Sequence, residues 1–515
     1  VKEQTMTEKE NALIAYNELK RTIIQPGFCT LCGACEAACP VHALKIEGDK
    51  LQHIQDCSEN LELCPICYDV CPHTEALLLE ALGFVTDAPY RRESLGNYRD
   101  VVLAQALNPV LRKLSHGGGV ITAVLMDSIQ KKYIDSAIVS EETAYSPKLQ
   151  PSISLVPDDI LSAVDAGFFP SAVAKAFGKA VHEYGKARIA FVGTPCQVLA
   201  LRKLECWEHK ITGSLKLVIG LMCLWSFSLK KLLENIRKNY GIKPNEIQKI
   251  SLNNDYMVHL KDRVIKIPVD EARRHILKGC LTCTDFTAQL ADISVGSAHP
   301  LDDWSIVIVR TKIGEEAIEE AIKSGAIRTR KLEETPEVFT HLVEIANFKR
   351  ETARKEIDES KAASKPVPPA TQRLLRPIPK ELGLLSSLSV SDIMTSDVMA
   401  VSSDTTVDEL LGMMAKFHHT GYPVLDEKKK LAGVVSFDDI IRIDPGKRCT
   451  TKVDGLKQKA QTIYPDDSAL SAYERMIEHN TGRVLVVERQ DPSRILGIVT
   501  QTDIMQTLRW PMKLK

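Results

Sequence analysis

The stretch CTLCGACEAACP sets Cys29, Cys32, Cys35 and Cys39 at intervals of x2, x2 and x3, with Pro40 directly behind. A second stretch, CSENLELCPICYDVCP, repeats the core of that spacing with Cys57, Cys64, Cys67, Cys71 and Pro72, but puts six residues rather than two after its leading cysteine. Small residues between the thiolates, such as Gly33, Ala34, Ala37 and Ala38, let a tight backbone wrap an inorganic cluster. Zinc seldom takes four cysteines from one such run, so the first set reads as ligands of a 4Fe-4S cluster; for the second, a zinc or single-cluster reading stays open. The chain holds fourteen cysteines and begins with an amphipathic helical pattern rather than an apolar signal core. Both features argue for free ligand thiols in a reducing compartment, so the protein is expected in the cytoplasm.

Cysteine-rich runs of this kind are those of bacterial ferredoxins, in which the fourth cysteine of each run ligates the other cluster. Cys29, Cys32, Cys35 and Cys71 are therefore assigned to one cluster, and Cys57, Cys64, Cys67 and Cys39 to a second. Six cysteines remain: Cys196, Cys206, Cys223, Cys280, Cys283 and Cys449. The pair in KGCLTCTDF, Cys280 and Cys283, cannot close a four-coordinate site alone. Cys196 follows a buried strand and a Gly-Thr-Pro turn in ARIAFVGTPCQVLALRKLE, and Cys223 ends another apolar strand in LKLVIGLMCLWSFS. Both would lie where chain leaves a sheet, the place where open α/β sheets gather ligands. Residues alone leave other readings open: a zinc clip or a redox pair at Cys280 and Cys283, and two ordinary core thiols at Cys196 and Cys223.

No G-x-G-x-x-G follows a strand, so a Rossmann dinucleotide site is not supported. The run SHGGG (115–119) before a helical VITAVLMDSIQKK offers a phosphate-binding helix start, or simply a glycine turn. The basic residues Arg273, Arg274 and Lys278, and Arg310 at the end of the strand WSIVIVR, could hold an anionic ligand or serve as a solvated face.

Taken together and in order, SHGGGVITAVLMDSIQKKYIDSAIVS, FVGTPCQVLALRKL, IGLMCLWSFS and KGCLTCTDFTAQLADISVG followed by DWSIVIVRT resemble the beta subunits of coenzyme F420-reducing hydrogenases and dehydrogenases. The likeness runs from about residue 98 to 350, and some members carry the ferredoxin module as well. The resemblance implies a third 4Fe-4S cluster on Cys196, Cys223, Cys280 and Cys283. It implies FAD beside that cluster, touched by Ser115, His116, Gly117, Gly118, Gly119, Thr122, Gly193 and Thr194. It implies coenzyme F420 as substrate, with Arg273, Arg274, Lys278 and Arg310 as candidate contacts. SVGSAHPLDDW departs from the Asp-Gly type loop expected after SVG, which bears on the substrate pocket. A deazaflavin exchanges hydride only, whereas iron–sulfur clusters pass single electrons, so a flavin is needed between them.

Past residue 350 the composition turns charged and then Pro-rich, which reads as a semi-rigid spacer over 351–385. From 386 a unit repeats itself, SDIMTSDVMAVSSDTTVDELLGMMAKFHHTGYPVLDEKKKLAGVVSFDDI being echoed by TIYPDDSALSAYERMIEHNTGRVLVVERQDPSRILGIVTQTDI. This resembles a tandem CBS pair, 386–447 and 453–510. The family's nucleotide signature falls on Ser436 and Asp439 and again on Thr500 and Asp503, although plain helix capping explains the same spacing. AMP or ATP is the implied ligand, and dimerisation through the pair is plausible in such modules.

The expected architecture is thus α+β and multidomain: an N-terminal helix with a two-cluster 4Fe-4S ferredoxin module (1–84), a mixed α/β flavin-binding oxidoreductase domain (85–350), a linker and a CBS pair (386–515). A net charge of −1 gives no field for nucleic acid, and the most apolar stretch, 215–229, is too short for a membrane span. The resemblance implies an F420-linked oxidoreductase trading electrons with a partner redox subunit or a ferredoxin in a hetero-complex. The alternatives are the same enzyme using NAD(P)H or another reducible ring, and a nucleotide-sensing electron relay without a substrate.

Overall fold

The computed structural model describes residues 14–57, 64–83, 95–114, 117–142, 149–161, 169–253, 255–371, 385, 388–417, 419–440, 443–479, 481–500, 502–504 and 507. The N-terminal module is built from α1 (Ile14–Leu19), two single-turn helices α2 (Ala34–Ala37) and α3 (Ile66–Asp69), and a hairpin of β1 (Leu44–Glu47) with β2 (Lys50–His53). The elements are short because the cysteine loops, not the helices, occupy most of the sequence.

An eight-stranded mixed sheet forms the centre, in the order β13-β3-β12-β11-β7-β6-β4-β5. Its strands are β3 (Asp100–Ala106), β4 (Ser136–Glu142), β5 (Leu149–Ser154), β6 (Ile189–Gly193), β7 (Leu215–Leu221), β11 (Ile293–Ala298), β12 (Leu301–Val309) and β13 (Ile327–Lys331). The middle four, β4, β6, β7 and β11, run parallel, and antiparallel strands finish both sides. All five residues of β6 are buried, as a strand covered on both faces requires. Ala190 and Val192 face a core shared with α4 (Val120–Gln130), whereas Ile189 and Phe191 face α5 (Val173–His182) and α6 (Pro195–Cys206). A small antiparallel sheet of β8 (Lys249–Asn253), β9 (Asp255–His259) and β10 (Val264–Ile267) leads into the one-turn α7 (Lys278–Leu281).

Local signals set α6 sharply. Thr194 and Gln197 form a reciprocal capping box and Pro195 takes the first helical position. After α8 (Lys312–Lys323) comes α9 (Pro336–Ala362), whose buried stripe is Val338, Leu342, Ala346, Lys349, Ala353 and Ile357. The spacer expected over 351–385 is corrected here: its first dozen residues continue α9, because that stripe packs like any amphipathic helix despite the charges around it. Beyond it, Ala370 and Thr371 are also buried, and the Ala370 amide donates to the His73 carbonyl at 3.1 Å.

The tail repeats one unit. β14 (Val401–Ser402), α10 (Val407–Phe417), β15 (Gly421–Leu425), β16 (Leu431–Ser436) and α11 (Phe437–Ile440) are matched by β17 (Thr462–Ile463), α12 (Ala469–Glu478), β18 (Arg483–Val487) and β19 (Ile495–Thr500), each with a three-stranded sheet. The first half shares one continuous apolar core with the ferredoxin module and the α6 face of the large sheet, whereas the second half has its own. No helix among the described residues is long and apolar enough to cross a membrane.

Candidate functional site

Cys29, Cys32, Cys35 and Cys71 line one small cavity, closed on its apolar side by Leu19, Ile23 and Leu51. The fourth cysteine of this lining comes from the second run. Cys39 keeps company with Cys57, Cys64 and Cys67: burial pushes the Cys57 thiol up to about 11, with Cys39 adding to the shift, and it pushes Cys64 and Cys67 up with Cys39 and Cys57 among their neighbours. Residues 58–63, the extra length of the second run, lie outside the described residues. Among the described residues no three of His, Cys, Asp or Glu close on a point as a single-ion site does; the first set rings a cavity instead.

Four of the six remaining thiols come together from three separate stretches. Cys196 sits in the first turn of α6, Cys223 two residues past β7, Cys280 in α7 and Cys283 just beyond it. Burial raises the Cys280 thiol well above its ordinary value, and Cys223, Cys196 and Cys283 raise it further. Cys223 is pushed to about 11 by burial, against the nearby Lys349 ammonium and with the Cys196 and Cys283 thiols. Buried thiols crowded in this way stay protonated unless a cation takes their charge. Cys206 ends α6 and Cys449 is exposed, so neither belongs to a set.

The third set abuts the first. The Thr30 hydroxyl, one residue from Cys29, donates to Cys196 Sγ at 3.7 Å and lies 3.1 Å from His73 Nε2. Thr194 Oγ1 is 3.4 Å from the same sulfur. Burial and then Lys203 hold His73 down at about 4, so this ring stays neutral between the two sets. At Gly279, beside Cys280, a Cβ would stand 2.3 Å from the Phe28 carbonyl oxygen and 2.9 Å from the His73 ring. Only a residue without a side chain lets the two modules meet this closely.

Two buried lysines were not singled out from the sequence. Lys349 Nζ donates to the Cys223 carbonyl at 2.5 Å and the Asp285 carbonyl at 2.6 Å. Burial opposes its charge, but Cys283, Cys223 and Asp285 outweigh that and hold it above the ordinary lysine range. Lys203 Nζ, fully buried on α6, donates to the Cys71 carbonyl at 2.6 Å and the Thr74 carbonyl at 2.8 Å. The sign for Lys349 was present in the sequence as a lysine on the apolar stripe of a helix.

Arg310 requires a correction. It is fully buried, and its five N–H groups go to Ser294 Oγ, the Leu95, Asn97 and Thr287 carbonyls, and Thr287 Oγ1, so none remains for a substrate. Arg273, Arg274 and Lys278 are exposed near α7. Arg273 pairs with Asp270 at 3.1 Å and stacks 5.6 Å over Trp225, and Lys278 donates to the Pro26 carbonyl at 3.1 Å.

Ser115 and His116 lie outside the described residues. Gly117, Gly118 and Gly119 follow with φ of 67°, 78° and 69°, three left-handed residues in a row that only glycine adopts freely. Ser305 Oγ donates to the Gly117 carbonyl, the Ala106 amide donates to the Gly118 carbonyl, and Gly119 precedes α4, whose Thr122 is buried. Gly117 lies 3.7 Å from the Ser297 Cα, measured from where its Cβ would be, at the end of β11, and Gly296 is pressed against Met222, the neighbour of Cys223. Gly193 ends β6 and Thr194 caps α6. The glycine run and the third thiol set therefore share the edge where the parallel strands end.

In the tail, Ser436 and Asp439 line a cleft of about 600 Å³. Lys459, His479, Thr481 and Arg483 from the second half and Glu208, His209 and Lys210 from the end of α6 line it too. Asp439 Oδ2 accepts from both the Ser436 amide and hydroxyl, a cap that does not use Oδ1. Asp503 Oδ2 caps Thr500 in the same way, but its Oδ1 accepts from Thr395, and neither residue lines the cleft. Phe437, between Ser436 and Asp439, packs edge-on against Trp207 at the end of α6, with ring centroids 4.7 Å apart.

Cysteine sets on a small module, docked on a mixed sheet that supplies a further set, define an iron–sulfur electron-transfer protein of the oxidoreductase class, here joined to a CBS tail. Residues 101–177 match the model of the coenzyme F420 hydrogenase/dehydrogenase beta subunit N-terminus, and residues 186–335 match that of its C-terminus. Residues 22–45 match the 4Fe-4S binding domain, and 390–446 and 456–509 match the CBS domain. The coenzyme F420 hydrogenase subunit beta of Methanothermobacter thermautotrophicus is 28% identical over 278 residues, 53% of this chain and 99% of that protein. A subunit of the F(420)H(2) dehydrogenase of Methanosarcina mazei is 28% identical over 57% of this chain and 82% of its own length. The coenzyme F420-dependent sulfite reductase of Methanocaldococcus jannaschii is 28% identical over 65% of this chain and 51% of its own. A solved structure, a xenon derivative of the F420-reducing NiFe hydrogenase complex from Methanosarcina barkeri, covers 53% of this chain at 26% identity with a TM-score of 0.49.

Proposed function

We propose that this chain exchanges hydride between coenzyme F420 and FAD, and passes the electrons singly through three 4Fe-4S clusters to or from a partner redox subunit or ferredoxin. The observation that carries the reading is the meeting of Cys196, Cys223, Cys280 and Cys283 at the strand ends beside the Gly117–Gly119 run. Relatives named as hydrogenase and dehydrogenase subunits acting with coenzyme F420 support the substrate. When bound, the flavin would supply the step between a hydride and single electrons, which clusters cannot perform. The protein's part is to hold each group and keep the gaps short. Gly117, Gly118, Gly119, Thr122, Gly193 and Thr194 would hold the flavin, and the three cysteine sets would hold the clusters. Thr30, bonded to Cys196, and the buried ring of His73 stand at the junction between the first and third sets. Arg273, Arg274 and Lys278 are left as candidates for the acidic end of coenzyme F420.

Absorbance of the supernatant after denaturation should show released FAD, and iron analysis about twelve atoms per chain for three clusters. Reduced coenzyme F420, and not NADH or NADPH, should bleach the flavin. A relay with no substrate predicts clusters without flavin, and bleaching by NAD(P)H alone replaces the hydride donor.

The CBS pair, in this reading, takes an adenine nucleotide in the cleft of Ser436 and Asp439. A volume of about 600 Å³ suits a drug-sized ligand, Asp439 Oδ1 suits a ribose hydroxyl, and Lys459 and Lys210 suit phosphate. Equilibrium dialysis with AMP and with ATP tests it. Asp439→Ala should weaken binding at least tenfold while Asp503→Ala changes it little, and equal losses would assign the ligand elsewhere.

A further inference from the structure

Lys349 occupies a position on α9 where the helix otherwise buries apolar residues, and it is only 2% exposed. Burying an ammonium is costly, and a packed methionine or leucine would be cheaper for stability alone. The charge is therefore held for something. Its two acceptors are the carbonyls of Cys223 and Asp285, the first on a ligand of the third set and the second two residues past another, Cys283. The Cys223 amide in turn donates to the Phe286 carbonyl at 2.9 Å, so the same two loops are joined on both sides. Asp285 does not cancel the lysine by direct pairing. Its carboxylate oxygens accept from the Thr287 and Gln289 amides, at 3.0 Å each.

A cluster on four thiolates is anionic and becomes more so with each electron. A fixed positive charge at its ligand loops stabilises the reduced form more than the oxidised one, because the added electron interacts with it at low effective dielectric. We infer that Lys349 is a positioning residue that raises the reduction potential of the cluster on Cys196, Cys223, Cys280 and Cys283, so that this cluster accepts electrons from the hydride-handling side. The inference rests on the three-cluster reading above. Lys203, bound to the Cys71 carbonyl, supplies the same device to the neighbouring cluster and serves as the control.

The test is a dye-equilibrated redox titration of the full-length protein, each cluster followed by its electron paramagnetic resonance signal. Lys349→Gln should lower the reduced-to-oxidised ratio of one cluster at a fixed potential by about tenfold, which for a one-electron couple is about 59 mV. Lys349→Arg, which keeps the charge, should restore most of the ratio. Lys203→Gln should move a different signal. Unchanged ratios in Lys349→Gln with full iron overturn the inference. So does an equal shift, or an equal loss of four irons, in the Gln and Arg variants, since a role in packing alone is indifferent to charge. Loss of iron in the Gln variant with full iron in the Arg variant overturns it in favour of a role in cluster assembly, because the charge is then needed to hold the cluster rather than to set its potential. Fewer than about twelve irons in the unmutated protein is a separate failure, that of the three-cluster reading.

Discussion

Arg310 gives every N–H group to partners that reach it from residues 95–97, 287 and 294. Removing it leaves several buried carbonyls unsatisfied, so Arg310→Met should lose on the order of 3 kcal/mol in urea unfolding. Whatever folds should keep the wild-type KM for coenzyme F420. In the sequence, an arginine that ends a strand looks the same whether it points to a ligand or inward; its acceptors lie up to 215 positions away and carry no local mark. The cysteines were legible for the opposite reason, since their spacing is itself the geometry of a ligand loop. His209 titrates for a physical reason as well. Burial first, and then His182 and Lys210, bring its ring down to about 4 from an ordinary 6.5, and its Nδ1 has no partner among the described residues. Between those values the unfolded chain binds the proton and the folded protein does not, so stability is retained above about pH 6.5 and declines as pH falls toward 4. The loss should approach 2 to 3 kcal/mol, on the order set by the shift, and His209→Gln should flatten that slope in a pH series of thermal melts.

At the scale of elements, β6 and α6 were readable because every cue is local: a continuous apolar run, a Thr-Pro turn, and Gln197 placed to complete the cap. The end of α9 was not. FKRETARKEIDESKA reads as a charged spacer by composition, and only the spacing of Lys349, Ala353 and Ile357 along the stripe betrays a packed helix, with a lysine in an apolar place. The glycine run was legible as a tight turn before a helix, but not its dependence on Ser305 and Ala106, which come from strands that flank it only after the sheet forms. The one-turn α7 makes the sharpest packing prediction. Gly279→Ala forces a methyl group against the Phe28 carbonyl and the His73 ring, and should cost about 1 to 3 kcal/mol or more as the modules part. Iron content should hold while electron transfer from flavin to the ferredoxin clusters, followed by stopped flow, slows. An unchanged rate would mean that the junction between the first and third sets is not on the path.

Across the whole molecule, the ferredoxin module, the α6 face of the sheet and the first CBS half share one apolar core, while the second half stands on its own. The internal repeat was visible from the sequence; the unequal attachment of its halves was not, because it rests on Trp207 meeting Phe437 across a separation of more than two hundred residues. Trp207→Ala should lower the unfolding free energy by about 3 to 5 kcal/mol for a buried ring, and leave iron content intact. It should also abolish any effect of AMP or ATP on flavin reduction, because the turn that would grip the ligand is the turn that rests on α6. The strand of chain leading to the tail does more than connect. With Ala370 tied to the His73 carbonyl, it passes over the seam between the first and third cysteine sets before it reaches the repeats. Amputating the tail at residue 351 would thus remove this strap and the buried end of α9 together with the repeats, and a clean excision must leave everything up to Thr371 in place.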